Sequence, residues 1–190
     1  METNNGNQPV AQFEYARPIL GFGEAIKICF QKFFDFKGRA RRSEYWWFAL
    51  FQVLVSIPCA FMDGLLEAAV GVSFLNTVAS IIFFFPSLTV GFRRLHDIGR
   101  SGWWIGVATI LGCIGIIALI ASISLGTGLD WTDDKAVVSA LFGAKSLLVW
   151  LPLIASIILG IIIFVFSLLD SERGENKYGP NPKYEMKSIY

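Results

Sequence analysis

Arg93-Arg94-Leu95-His96-Asp97-Ile98-Gly99-Arg100-Ser101-Gly102-Trp103-Trp104 is the stretch that separates two long apolar runs near the middle of the chain. It holds three arginines, an aspartate, two tryptophans and the only histidine of the sequence. Because apolar segments leave it on both sides, the other basic segments are expected at the same depth in a membrane. The rest of the sequence can therefore be placed relative to this stretch.

The composition is that of an integral membrane protein. Of 190 residues, 54% are hydrophobic and 16% are charged, which is more apolar sequence than a soluble core of this length needs. Four apolar runs, at about 45–62, 72–92, 103–125 and 147–169, approach the ~20 residues that cross a ~30 Å hydrocarbon core. The sequence therefore predicts an all-α membrane protein built as a four-transmembrane-helix bundle.

Residues 37–170 form the predicted membrane domain, and shorter segments flank it or lie within it. Residues 1–21 have few large apolar side chains and are predicted to be a disordered tail. Residues 22–36 have the spacing of an amphipathic helix, which either lies in the membrane interface or packs on the bundle. A short surface helix is predicted at 136–142, and residues 171–190 form a polar C-terminal tail.

The distribution of charge predicts the topology. Of the 16 Lys and Arg residues, all but Lys135 and Lys145 fall in segments that a four-span chain places on one side. The positive-inside rule then puts both termini and the 93–102 loop in the cytoplasm. Tryptophans are expected to anchor the helices at the two membrane boundaries, and the candidate anchors are Trp46, Trp47, Trp103, Trp104 and Trp150.

Neither the cysteines nor the histidine has the spacing of a metal or redox site. Cys29, Cys59 and Cys113 are scattered in or beside apolar segments, where each is expected to behave as a small hydrophobic residue. One histidine and scattered carboxylates are too few ligands for a metal centre. The sequence predicts no cofactor, no metal and no nucleic-acid partner.

Three motifs occur in a fixed order along the chain. They are Phe36–Trp47, the region from Pro86-Ser87-Leu88 to Trp104, and Asn176–Pro182. This order resembles the domain of unknown function 805 family, which consists of small bacterial inner-membrane proteins, and the likeness extends over about residues 22–182. The resemblance implies a multi-span protein of the bacterial inner membrane, and it brings no established activity, substrate or catalytic residue.

The first interpretation of the central motif is structural. A short connection makes the first two spans antiparallel neighbours, so Glu44 is expected at the depth of Arg93 and Arg94. The sequence predicts an ion pair between Glu44 and one of these arginines, with Arg93 and Asp97 as i,i+4 neighbours. Together with His96, such pairs would hold the cytoplasmic ends of the helices in one arrangement.

The second interpretation is an anion site. Arginine side chains suit phosphate oxygens, and basic clusters beside membrane spans meet anionic lipid headgroups. The candidate lipid-binding or phosphate-binding residues are Arg39, Arg41, Arg42, Arg93, Arg94 and Arg100. The expected partner is the lipid bilayer with its anionic headgroups, and a homo-oligomer or a membrane-protein partner fits the same surface.

Two further classes stay open. His96 beside Asp97 allows a general base acting on a phosphate-containing substrate, although neighbouring residues point in different directions on a helix. No span has a charged residue near its middle, as ion pathways usually require, but an oligomeric transporter or channel could use the polar residues Ser73, Asn76, Thr77 and Ser80. The sequence favours a non-catalytic protein that organises or binds anionic lipid or a partner through its basic face.

Overall fold

The computed structural model describes residues 3–4, 8–9, 12–125 and 147–188. The helices in these ranges are α1 (Phe22–Gln31), α2 (Arg42–Val70), α3 (Leu75–Asp97), α4 (Trp103–Leu125) and α5 (Leu147–Leu168). The strands are β1 (Thr3–Asn4), β2 (Gln8–Pro9), β3 (Gln12–Ala16) and β4 (Tyr184–Ser188). The surface helix predicted at 136–142 lies outside the described residues.

Helices α2 to α5 are each long and apolar enough to cross a membrane. Isoleucines such as Ile117, Ile157 and Ile161 project from α4 and α5 with most of their surface exposed. Apolar side chains on every face of a helix are typical of segments that lipid surrounds. The predicted all-α membrane class with four spanning helices is therefore confirmed.

The connection between α2 and α3 is shorter than the sequence indicated. The first apolar run was predicted to end at residue 62, but α2 continues to Val70 and ends at Gly71, whose φ of 70° is left-handed. The reason lies in Asp63, whose charge marked the end of the run. Its carboxylate accepts hydrogen bonds from the backbone N–H groups at the start of α3, at 2.9, 2.8 and 2.8 Å. An acid inside α2 thus satisfies the free N–H groups of α3.

The N-terminal and C-terminal segments pair with each other as β-strands. The sequence had predicted a disordered tail at 1–21 and no such pairing. Strand β3 pairs antiparallel with β4, with Gln12 opposite Ser188 and Ala16 opposite Tyr184. The contact continues as the N–H group of Arg17 donates to the carbonyl of Lys183 at 2.7 Å. The pairing joins polar segments from opposite ends of the chain, so no local pattern could indicate it.

Helix α1 packs against α2 and α3. Ala25 and Cys29 on its inner face are fully buried. The ring centroid of Phe30 lies 5.9 Å from that of Phe48 on α2 and 6.3 Å from that of Phe83 on α3. Of the two placements predicted for the amphipathic helix, the structure shows packing on the neighbouring spans.

The chain divides into two compact units. The first comprises residues 1–100 and 169–190, and the second comprises residues 101–168. In the second unit α4 and α5 pack closely where glycines leave room, since a Cβ at Gly115 would lie 2.6 Å from the side chain of Leu153. All of the candidate site residues up to residue 100 belong to the first unit.

Candidate functional site

Arg39 lies in the connector between α1 and α2 and is 6% exposed. Its Nε donates to Oδ1 of Asp97 at 3.0 Å, and its Nη1 donates to the carbonyls of Gly174 at 2.8 Å and Gly179 at 3.2 Å. Its Nη2 donates to the carbonyls of Glu172 at 2.6 Å and Asp97 at 3.2 Å. Since a guanidinium has five N–H groups, the protein itself occupies the whole donor set.

Asp97 ends α3 and is fully buried. Besides Arg39, its carboxylate accepts hydrogen bonds from Nη1 of Arg94 at 2.6 Å and from Oγ of Ser171 at 2.5 Å. Two guanidinium groups therefore share one carboxylate in a region that excludes water. A buried cation needs such a partner, because an unpaired charge in the interior is costly.

Arg93 is 0% exposed and contacts Glu44 near the start of α2. Nη1 of Arg93 lies 2.5 Å from Oε1 of Glu44, and Sγ of Cys29 lies 4.0 Å from the same oxygen. The i,i+4 partner predicted for Arg93 was Asp97, but Asp97 contacts Arg94 instead. Among the described residues, Nε and Nη2 of Arg93 have no hydrogen-bond partner.

The pKa of the Cys29 thiol reflects the burial of the region around Glu44 and Arg93. Burial is the main reason why its pKa rises to about 12, and the negative charge of Glu44 raises this pKa further. The charge of Arg93 acts in the opposite direction but does not offset burial. Cys29 therefore stays a neutral thiol at physiological pH.

The C-terminal turn at 176–182 covers the end of α3. The ring of Tyr178 stacks on that of His96 with 3.7 Å between centroids and 8° between planes. Nδ2 of Asn176 donates to the carbonyl of His96 at 3.0 Å, and Nδ1 of His96 lies 3.2 Å from the carbonyl oxygen of Gly38. The imidazole thus contacts Tyr178 and Gly38, while the carboxylate of Asp97 is held by other residues.

Two cavities open beside the connector that precedes α2, and both are bordered by Arg17 and Arg41. The mixed-charge cavity has a volume of about 410 Å³ and is lined by Arg17, Pro18, Leu20, Glu24, Ile28, Gln31, Lys32, Arg39, Arg41, Glu44 and Pro182. The basic cavity has a volume of about 360 Å³ and is lined by Ala16, Arg17, Ile19, Arg41, Arg42, Ser43, Lys183 and Tyr184.

Arg41 stands between the two cavities and is 8% exposed. Its Nε donates to the carbonyl of Pro182 at 2.7 Å, and its Nη1 donates to the carbonyl of Pro18 at 2.6 Å. Burial lowers the pKa of this guanidinium, and the positive charge of Arg17 lowers it further. The negative charges of Glu24, Asp97 and Glu44 act in the opposite direction, and burial remains the main cause.

Arg42 and Lys183 share one exposed carboxylate at the rim of the basic cavity. Nη2 of Arg42 lies 3.4 Å from Oδ1 of Asp170, and the ammonium of Lys183 contacts the same oxygen. The hydrogen bond from Lys183 is the main reason why the pKa of Asp170 is lowered. Asp170 is 64% exposed, so water screens these pairs.

The six predicted arginines thus divide by environment. Arg39, Arg93 and Arg94 lie in the interior, Arg41 and Arg42 line the cavities, and Arg100 is exposed. Sequence reasoning missed the residues that complete the two cavities, and these are Arg17, Glu24, Lys32 and Lys183. For Arg17 and Lys183 the only signal was charge close to the termini, because the tails return to the connector only in the folded chain. Glu24 and Lys32 were visible only as the polar side of an amphipathic helix and its end.

The predicted tryptophan anchors lie within the first two turns of three spanning helices. Trp103, Trp104 and Trp150 are exposed, as an aromatic ring at a membrane boundary would be. Nε1 of Trp47 donates to the carbonyl of Leu20 at 3.0 Å, whereas Trp46 is half-buried. Within the described ranges, no three His, Cys, Asp or Glu residues are grouped closely enough to hold a metal ion.

Four apolar spanning helices and a buried arginine–carboxylate network define a multi-span integral membrane protein. The chain belongs to the family described as "Protein of unknown function (DUF805)", whose sequence model matches residues 33–180. This finding confirms the resemblance seen in the three sequence motifs.

Two relatives from Escherichia coli K12 are similar to this chain. Inner membrane protein YhaH is 31% identical over 157 residues, which cover 82% of this chain and 93% of YhaH. Inner membrane protein YhaI is 34% identical over 76 residues, which cover 39% of this chain and 61% of YhaI. No solved structure gives a significant match.

Proposed function

We propose that this chain is a non-catalytic inner-membrane protein that binds the phosphate of an anionic lipid headgroup in the basic cavity. The observation that carries this proposal is the lining of that cavity. Arg17, Arg41, Arg42 and Lys183 line it, and among the described residues no carboxylate belongs to the lining. Asp170 contacts Arg42 and Lys183 from the rim, where it is mostly exposed. A phosphate bound there would stabilise the charged form of Arg41, whose pKa is lowered mainly by burial and further by the charge of Arg17.

The position of the basic cavity suits a headgroup. Arg42 and Ser43 belong to the first turn of α2, where free N–H groups and the helix dipole favour an anion. Ile19 at its edge is 88% exposed and offers an apolar contact for an acyl chain. The aromatic residues 45–47 follow directly in α2, as expected at a membrane boundary.

The proposed topology places this cavity at the cytoplasmic leaflet, which is rich in anionic lipid. It rests on the positive-inside rule, with both termini in the cytoplasm. A reporter enzyme fused after Gly71, in the turn between α2 and α3, is expected to behave as external. Cytoplasmic behaviour of that fusion would reverse the orientation and leave the cavity on the outer side.

The interior contacts support a structural role for the other arginines. The N–H groups of Arg39 are all donated to protein acceptors, and Arg94 shares its carboxylate partner. A phosphate at Arg39 or Arg94 would have to displace these bonds. We therefore assign headgroup binding to the arginines of the basic cavity and fold maintenance to those of the interior.

The same contacts weigh against the other two functions suggested by the sequence. A general base would need His96 to be oriented by Asp97, whereas the imidazole contacts Gly38 and Tyr178. Of the polar residues suggested for a pore, Ser80 donates to the carbonyl of Asn76 within α3 at 2.7 Å. The contacts of the imidazole belong to the end of α3, and the bond of Ser80 is a local bond from a side chain to the backbone of its own helix.

Lipid titration of two matched double variants tests the proposal. Arg42→Gln with Lys183→Gln removes two charges of the basic cavity, whereas Lys27→Gln with Lys37→Gln removes two exposed charges outside it. Short-chain phosphatidylglycerol is titrated into the detergent-solubilised protein. At ~1 kcal/mol for each basic residue, the first variant should bind about 30-fold more weakly. The second should bind like the natural chain, and equal losses in both would overturn the proposal.

A further inference from the structure

The mixed-charge cavity differs from the basic cavity in presenting both signs of charge. Arg17, Lys32 and Arg41 border it as cations, and Glu24 and Glu44 border it as carboxylates. Arg39 also lines it, but its N–H groups are bonded elsewhere. Glu44 is already paired with Arg93, so Glu24 is the carboxylate of this cavity that a positive group on a ligand could contact.

Helix α1 supplies an ordered wall. Glu24, Ile28 and Gln31 follow one another at i, i+4 and i+7, so they lie along one face of the helix, and Lys32 is the residue that caps its C-terminal end. All four line the cavity. The wall therefore has a carboxylate at the first turn, an apolar side chain in the middle, and an amide and an ammonium at its end.

Charges of both signs act on Arg41 in this cavity. Glu24 acts on the same guanidinium as Arg17, because its negative charge offsets part of the lowering of the pKa of Arg41. Glu44 lies deeper and has one oxygen on Arg93. A phosphate at Arg17 and Arg41 would therefore have the carboxylate of Glu24 as a neighbour, and a carboxylate accepts hydrogen bonds from N–H groups.

We propose that the mixed-charge cavity binds a phosphate ester that also carries a primary amine, of the phosphoethanolamine type. The phosphate would contact Arg17 and Arg41, the ammonium would contact Glu24, and Ile28 would face the carbon link. At a generous ~30 Å³ for each of eight heavy atoms, such a group needs about 240 Å³, within the 410 Å³ of the cavity. The ester is either a lipid headgroup or a free metabolite.

This proposal deepens the proposed function, since Arg17 and Arg41 border both cavities. It uses the carboxylate of Glu24, which the basic cavity lacks. The two proposals can therefore fail separately, and the experiment is designed to show which one does.

The test is isothermal titration of the detergent-solubilised full chain with phosphoethanolamine and with glycerol 3-phosphate. Phosphoethanolamine should bind about fivefold more tightly, the ratio expected for one partly exposed ionic hydrogen bond. Glu24→Gln should abolish this preference, because the amide carries no charge. The control Glu67→Gln removes an exposed carboxylate of α2 that lies outside the cavity, and it should keep the preference.

Equal affinity for the two esters in the natural chain would overturn the proposal, and so would a preference that survives in Glu24→Gln. The double variant Arg42→Gln with Lys183→Gln should keep the amine preference even as it loses phosphatidylglycerol. Short-chain phosphatidylethanolamine identifies the source of the ligand. Tighter binding of this lipid than of phosphoethanolamine supports a headgroup, and equal binding supports the free ester.

Discussion

Arg39 and Arg41 are two positions apart in the same connector, yet they belong to regions with opposite properties. In the interior region, Arg39 donates all of its N–H groups to protein oxygens around Asp97. In the boundary region, Arg41 lies between two cavities beside the like charge of Arg17. The residues that pack around an arginine therefore determine its role. Arg39 stabilises the fold through bonds to protein oxygens, whereas Arg41 lies where a ligand can contact it.

The largest expected effect on stability comes from removing the charge of Asp97, which is bonded to both Arg39 and Arg94. Asp97→Asn keeps the shape of the side chain but leaves Arg39 and Arg94 without a buried counter-charge. Loss of one partner from a buried pair costs about 3–5 kcal/mol. Denaturant unfolding of the detergent-solubilised variant measures this loss of free energy of unfolding.

The matched control is Asp170→Asn, since Asp170 also pairs with two cations but is 64% exposed. Its free energy of unfolding should stay within about 0.5 kcal/mol of the natural value. Similar free energies of unfolding for Asp97→Asn and Asp170→Asn would show that the buried ion pairs of Asp97 contribute no more stability than the exposed pairs of Asp170.

The second prediction concerns how well the interior region excludes water from the thiol of Cys29. Because the pKa of Cys29 is raised to about 12, the thiolate fraction at pH 8.5 is small in the folded chain. The stability that the neutral thiol contributes is complete below its unfolded pKa and is lost as pH rises towards 12. In a Cys59→Ser, Cys113→Ser background, maleimide should label the folded chain at least about 100-fold more slowly than the unfolded chain. Comparable labelling rates would mean that water reaches the interior region.

Salt should separate the two regions further. The cations of the basic cavity border an open space, so raising salt from about 0.05 M to about 0.5 M should weaken phosphatidylglycerol binding by about tenfold. The interior pairs are shielded from ions, and the free energy of unfolding should change little over the same range. An affinity for phosphatidylglycerol that does not change with salt concentration would indicate binding through apolar contacts and not through charged ones.

The smallest expected effect has the opposite sign. Asp170 competes with a phosphate for Arg42 and Lys183. Asp170→Asn should therefore tighten binding of phosphatidylglycerol by about two- to threefold, in keeping with the small energies of exposed pairs. A structural role of Asp170 at the cavity would instead weaken binding, and lipid titration distinguishes the two signs.

The spanning helices could be predicted because apolar runs of sufficient length have few other structures open to them. The depth of Glu44 relative to Arg93 and Arg94 followed from the short connection between two antiparallel helices. The structure places Glu44 on Arg93. Such inferences need only local pattern and helix length.

The partners of Arg39 and Arg41 could not be predicted in the same way. They come from the C-terminal turn and the N-terminal tail, at Gly174, Gly179, Pro182 and Pro18. These acceptors are backbone carbonyls, which leave no mark in a sequence. The motif at 176–182 was visible as a motif, but its contact with His96 depends on long-range folding.

Native mass spectrometry of the purified chain tests most directly whether the arginines that line the basic cavity bind lipid, in contrast to the interior arginines, which stabilise the fold. The natural chain and Lys27→Gln with Lys37→Gln should retain anionic phospholipid, whereas Arg42→Gln with Lys183→Gln should lose it at unchanged stability. Equal retention of anionic phospholipid by all three proteins would show that Arg42 and Lys183 do not bind lipid.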